Sequence, residues 1–181
     1  ASFFWQGEWY IFTEGDTYAM NLKTGAFHKP AIQIPNAMDK NSVKSYYFLY
    51  DKEGCAYIFA KKSRLFKKLK LLEDKNIINS RDKNFCAAED AQGKVFITSY
   101  GSGLFVFDPK SQQTEHFSAT DKNPLFHTDF LSNIFIDRSD CIWIATGDGV
   151  FCCKEQKELK ADFVKIAPNE QNEWSNYVRY I

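Results

Sequence analysis

Asp137-Arg-Ser-Asp140-Cys-Ile-Trp143-Ile-Ala-Thr146-Gly-Asp-Gly149-Val-Phe151 reads as a turn, a strand with an aromatic at its centre, a Thr, a glycine loop and a second strand. The same order of parts occurs upstream in Asp90-Ala-Gln-Gly93-Lys-Val-Phe96-Ile-Thr98-Ser-Tyr-Gly-Ser-Gly103-Leu-Phe105. Asp51-Lys-Glu-Gly54-Cys-Ala-Tyr57-Ile-Phe-Ala-Lys-Lys-Ser-Arg-Leu65-Phe66 is a weaker copy, and Gly7-Glu-Trp-Tyr10-Ile-Phe-Thr13-Glu-Gly-Asp-Thr-Tyr18 the weakest. The central aromatics stand at 10, 57, 96 and 143, with spacings of 47, 39 and 47. A repeat of roughly 40–50 residues is the length of one four-stranded propeller blade.

Working outward, each unit carries the further strands a blade needs. Apolar segments precede the turns at Tyr46–Tyr50, Phe85–Ala88 and Ile134–Ile136. Hairpin signals follow at Asp108-Pro109 and at Gly25, where Pro and Gly supply the backbone angles of tight turns. Short strands at even spacing predict an all-β fold of about four four-stranded antiparallel β-propeller blades. The expected blade cores are 7–27, 46–72, 85–117 and 134–166, and Ser175–Ile181 matches Ser132–Ile136 as the opening strand of a further blade. Leu65, Leu69 and Leu72 recur at helical spacing, but the repeat assigns Lys61–Asp74 to two strands and a hairpin. Starting and stopping within a repeat suits two arrangements. One is a segment of a larger, seven-bladed propeller; the other is a small ring closed by its two terminal strands.

Composition narrows the function. The chain has 181 residues, with 23 Lys+Arg against 23 Asp+Glu, so no overall field attracts nucleic acid or an anionic membrane. Aromatic content of 17% suits pleated, half-buried surfaces. No apolar run has the length of about 18 residues that a spanning helix needs. Ala1-Ser-Phe-Phe-Trp5 is not a signal peptide. Cys55, Cys86, Cys141, Cys152 and Cys153 form no CxxC pair, and His28, His116 and His127 lack metal-ligand spacing. Buried thiols and surface imidazoles are the expectation, with no metal and no cofactor.

The units resemble the two-component regulator propeller repeat, D-x-x-G-x-[IVL]-W-[IV]-x-T-x-x-G-[LV]-x-x-[FY]. Asp90, Gly93, Thr98, Gly103 and Leu104 fit in one unit, and Asp137, Trp143, Thr146, Gly149 and Val150 in another. The second unit keeps Asp51 and Gly54 but has Lys61-Lys-Ser-Arg64 in place of the Thr and Gly loop, and Trp5 stands where the first unit's Asp belongs. The resemblance implies a periplasmic sensor region, the extracytoplasmic part of an inner-membrane hybrid histidine kinase. It also implies glycan-derived signals, a neighbouring propeller domain and a homodimer partner. None of the signalling parts lies in this segment, so kinase activity would belong to the parent protein.

In ordinary propeller geometry the loops joining second and third strands share one rim. Those loops are Thr13–Thr17, Ala60–Arg64, Ser99–Ser102 and Thr146–Asp148. They offer Tyr100 as a stacking platform for an oligosaccharide, with Arg64, Asp148, Glu14, Asp16 and Lys61 as polar flanks. Residues 61–83 hold nine Lys/Arg against three Asp/Glu, a surplus suited to a sulfated or uronic acid glycan. Tyr10, Tyr57, Phe96 and Trp143, at one register, are expected between sheets. Asp16 and Asp148 occupy corresponding loops, but no catalytic motif appears, so no catalytic residues are expected here. The alternatives are a propeller glycan hydrolase or lyase, and a passive interaction scaffold.

Overall fold

The computed structural model describes residues 1–73, 85–153 and 163–166, with no side-chain detail for 38, 39 and 163–166. Residues 154–162 of the fourth predicted blade and the predicted strand at 175–181 lie outside the described residues. Every regular element described is a β-strand, sixteen in all, in four antiparallel four-stranded sheets. The helical spacing of Leu65, Leu69 and Leu72 does not decide the local structure: Phe66–Lys70 is a strand.

The chain divides into two compact units, residues 1–71 and 72–181. In the first unit, one sheet runs β1 (Ser2–Trp5), β2 (Glu8–Phe12), β3 (Thr17–Asn21) and β4 (Phe27–His28) in sequence order. Gln6 and Gly7, at φ 52° and 88°, turn β1 into β2, as a two-residue hairpin with positive φ at both positions requires. A second sheet runs β5 (Ala37–Ser42), β6 (Tyr46–Asp51), β7 (Cys55–Ala60) and β8 (Phe66–Lys70). Alternation along β2 buries Tyr10 and Phe12 and leaves Trp9 outward. Those rings join Phe3, Trp5, Leu49, Tyr57 and Phe59 in one apolar cluster between the two sheets. Burying each such ring contributes about 1.5–3 kcal/mol. The Trp5 indole N–H, buried among them, donates to the Ala60 carbonyl at 2.9 Å.

In the second unit, one sheet runs β9 (Phe85–Glu89), β10 (Val95–Ser99), β11 (Gly103–Asp108) and β12 (Gln113–Phe117). The other runs β13 (Leu131–Ile136), β14 (Ile142–Thr146), β15 (Gly149–Cys153) and β16 (Phe163–Ile166). Phe96, Leu104 and Val106 of the former pack with Leu131, Ile134, Ile142, Ile144 and Phe151 of the latter. Because β14 alternates, Ile142 and Ile144 take the face toward this core, and Trp143 lies half-buried on the opposite face. Trp143 therefore departs from the sequence expectation, whereas Phe96, Tyr10 and Tyr57 lie in the inter-sheet clusters.

The repeated Asp builds the same turn three times. Asp137 Oδ1 accepts from the Ser139 and Cys141 amides at 2.8 and 3.0 Å, and Oδ2 accepts from the Trp143 indole at 3.0 Å. Asp51 Oδ1 accepts from the Glu53 and Cys55 amides, both at 2.9 Å, and Oδ2 from the Tyr57 hydroxyl at 2.7 Å. Asp90 Oδ1 accepts from the Lys94 amide at 2.7 Å. Its aromatic partner is Phe96, which has no donor, and Asp90 Oδ2 is buried without a partner among the described residues. Each carboxylate thus ties its turn to the strand that follows, and the aromatic six residues on completes the tie when it carries an N–H or O–H.

Thr146 closes the next loop: its hydroxyl donates to the Gly149 carbonyl at 2.9 Å and accepts from the Asp148 amide at 3.0 Å. Thr98 donates to the Cys86 carbonyl of the adjacent strand at 3.4 Å.

Candidate functional site

In the second unit, the two loops between second and third strands meet at one end of the sheets. The chain just before β13 joins them. Gly101 and Gly103 amides donate to the Asp129 carbonyl, and the Gly147 amide donates to the Phe130 carbonyl at 2.9 Å. Tyr100 pairs with Phe130 in an isolated bridge, their ring centroids 5.0 Å apart. Tyr100 and Asp148 therefore stand on loops held to one segment, and both are half-buried. Tyr100 is not a bare platform, because Phe130 packs against its ring. The Asp129 carboxylate is spent on structure, accepting from the Ala119 amide at 2.7 Å and the Ser118 hydroxyl at 3.1 Å.

The first unit is arranged otherwise. Asn36 links the Glu14 loop to the Lys52 turn: its amide donates to the Glu14 carbonyl, and its carbonyl accepts from the Lys52 amide. Trp5, at the other end of the first sheet, bonds Ala60. The Glu14–Asp16 loop thus shares an end with the Asp51–Gly54 turn, and the Lys61–Arg64 loop lies at the opposite end. The expected common rim of Glu14, Asp16, Lys61 and Arg64 is not formed within this unit. The cause is β5, which pairs along β6 from Ala37↔Asp51 to Ser42↔Tyr47 and takes the first place in the second sheet. The repeated Asp turn there joins the second strand to the third, rather than the first to the second, and the sheet is inverted against the repeat.

At the Glu14 end, Asp16 is engaged locally. Lys29 Nζ lies 3.0 Å from Asp16 Oδ1, and this hydrogen bond raises the Lys29 pKa. The Tyr18 hydroxyl reaches Asp16 Oδ2 at 3.4 Å. Glu14 is exposed, as is Arg64 at the other end.

The Lys61 end holds a cavity of about 290 Å³ lined by Lys44, Ser45, Tyr46, Ala60, Lys61, Lys62 and Ser63. Three lysines, two serines and a tyrosine line it, and no carboxylate does. Lys61 is held in place: its ammonium donates to the Val43 carbonyl at 2.5 Å and sits 4.8 Å from the Tyr47 ring centroid. Its amide also donates to the Ser45 carbonyl at 2.9 Å. The loop adds Arg64 to Lys61 and Lys62, so this end of a chain with no net charge is locally positive. Sequence reasoning found Lys61 but missed Lys44, Ser45 and Tyr46. The lead-in to a strand sits beside the loop after the next strand, as Phe130 does beside Gly147, and that rule would have found them.

Among the described residues no group of three or more His, Cys, Asp or Glu is placed to hold a metal ion. No described helix is long and apolar enough to cross a membrane.

No known family's sequence profile matches this chain, and no curated protein matches it. Solved structures do. The extracellular domain of BT3049 from B. thetaiotaomicron, described as a hybrid two component system, is 18% identical with a TM-score of 0.52 over 90% of this chain and 22% of its own. Virginiamycin B lyase from Staphylococcus aureus is 12% identical with a TM-score of 0.51 over 93% of this chain and 55% of its own. A streptogramin B lyase is 9% identical with a TM-score of 0.52 over 91% of this chain and 52% of its own. The chain spans from 22% to 55% of the length of these proteins. At such identities the likeness shows the fold, and the fold is that of β-propeller blades.

Proposed function

We propose that this chain is a non-catalytic, ligand-sensing propeller segment of a two-component signalling protein, acting outside the cytoplasm on glycan-derived signals. One observation carries the reading. The Asp–x–x–Gly, aromatic, Thr and Gly pattern that resembles the two-component regulator propeller repeat is realised as working structure: Asp137 ties Trp143, and Thr146 ties Gly149. The fold likeness to an extracellular domain of such a system agrees with it.

The Lys44–Lys61–Lys62 cavity is the place for an anionic saccharide. The Val43 carbonyl uses one N–H of the Lys61 ammonium, which has three, and fixes where the charge stands. Ser45 and Ser63 supply hydroxyls for sugar oxygens, and Tyr46 an aromatic wall. A sulfate or uronate on a sugar ring would meet a preset charge. Binding would favour one arrangement of the segment against a neighbouring propeller or a second copy, and the parent chain would pass that change through the inner membrane from the periplasm.

A lyase reading draws on the fold likeness to two lyases, which leaves chemistry open because propellers host enzymes as well as binders. Titration calorimetry of the complete ectodomain against uronic, sulfated and neutral oligosaccharides separates the readings. The sensor reading expects heat with an anionic oligosaccharide, weakening as salt rises. Product formation would favour the enzyme, and self-association with no glycan binding the scaffold. Silence across the whole panel would remove the sensor site.

A further inference from the structure

We infer that Cys141 and Cys152 are joined by a disulfide in the mature protein. Their sulfurs stand 2.8 Å apart, and both residues are buried. A disulfide bond is about 2.05 Å long, so closure needs a sulfur movement of roughly 0.8 Å. The hairpin explains the meeting. Cys152 lies opposite Trp143 on the adjacent strand, and Cys141 directly precedes β14, so the two are diagonal neighbours on the Trp143 face.

The other thiols are placed elsewhere. Cys153 points to the opposite face, into the core with Ile142 and Ile144. The Cys86 thiol is engaged with the Ser132 carbonyl at 3.5 Å, and Cys55 belongs to the first unit. The odd count of five therefore resolves into one bridge and three thiols.

The chemistry is thiol–disulfide exchange with an external disulfide, either that of a thiol oxidoreductase or glutathione disulfide. One cysteine thiolate attacks the oxidant's disulfide and forms a mixed disulfide, releasing one oxidant thiol. The second cysteine attacks that bond, forming Cys141–Cys152 and releasing the other oxidant thiol. Two electrons pass to the oxidant, and the two protein S–H protons end on its two released thiols. Burial and the neighbouring sulfur push the folded Cys141 thiol up to about 12. The bridge fixes the repeated turn as well, because the Cys141 amide is one of the two donors to Asp137 Oδ1. An extracytoplasmic location would supply the oxidant, but the geometry does not depend on that reading.

The test refolds the chain in a glutathione redox buffer, alkylates it without reduction, and maps the digest by mass spectrometry with fragmentation that separates Cys152 from Cys153. The expected result is a Cys141–Cys152 linked peptide with alkylation at Cys55, Cys86 and Cys153. Reductant should then lower the melting temperature by several degrees. Cys141→Ala and Cys152→Ala should each abolish both the link and the reductant effect, and Cys55→Ala neither. Five alkylated thiols, or a link through Cys153, would overturn the inference and leave the glycan reading untouched.

Discussion

The two units use the same hairpin differently. In the second unit Phe96 faces the neighbouring sheet, Trp143 lies on that sheet's far face, and equivalent loops meet at one end. In the first unit Tyr10 and Tyr57 lie in one shared cluster, and the corresponding loops stand at opposite ends. A repeat in sequence specifies a hairpin and its turn, while the strand added at the edge decides which way that hairpin faces. For function the consequence is concrete. The second unit gathers its loops into one rim, and the first has a separate lysine cavity.

The most damaging change expected is Gly103→Val, which attacks only the second unit. Gly103 has φ 78°, and a Cβ there would come within 2.2 Å of the Phe117 carbonyl oxygen. Strain and clash together should cost at least about 3 kcal/mol, read by urea unfolding. The first unit holds β-branched Thr17 at the corresponding start of β3, so its packing should survive.

Next in size is Tyr57→Phe, which gives the first unit the defect the second already carries. Asp51 Oδ2 would lose the 2.7 Å hydroxyl bond inside the core, at about 1–3 kcal/mol. Unfolding of the first unit at neutral pH is the measurement.

The reverse change, Phe96→Tyr, offers Asp90 its missing donor and should stabilise the second unit by about 1 kcal/mol at neutral pH. Burial raises the Asp90 pKa above 3.8. The native state thus holds that proton more tightly than the unfolded chain. The Asp90 contribution is present in full below 3.8 and is lost as pH rises through the native value. The Phe96→Tyr gain should accordingly be small in acid and grow through that window.

The subtlest comparison sets Asp137 against Asp90. The Trp143 indole holds the Asp137 pKa below 3.8, so its contribution is present above 3.8 and is lost as pH falls through the native value. Carboxyl titration by NMR should place Asp137 below 3.8 and Asp90 above it. Trp143→Phe should move the Asp137 midpoint upward and leave Asp90 where it is.

The all-β class and the hairpins were legible because the Asp turn, its aromatic and the Thr–Gly loop are local chemistry. The inversion of the second sheet was not. Ala-Met-Asp-Lys-Asn-Ser at 37–42 has neither apolar alternation nor β-branched residues, so nothing in it announces a strand. It pairs because β6 offers it an edge, which is a tertiary fact. The candidate site divides the same way. Tyr100 and Asp148 come together on repeat-conforming loops. Lys61 and Arg64 depart from Glu14 and Asp16 because β5 stands between the repeat and its expected place. The charge surplus after Lys61 was plain in sequence, but the cavity it borders also needs Lys44 and Tyr46 from the preceding strand entry.

The most direct test is an amide NMR titration of this chain with a uronic acid oligosaccharide. Salt-sensitive shifts at residues 43–46 and 60–63, with residues 13–16 unmoved, are the expected result. Shifts at 13–16 together with 60–63 would restore the common rim and contradict the inverted sheet, and no shift at 60–63 would remove the lysine cavity as the ligand site.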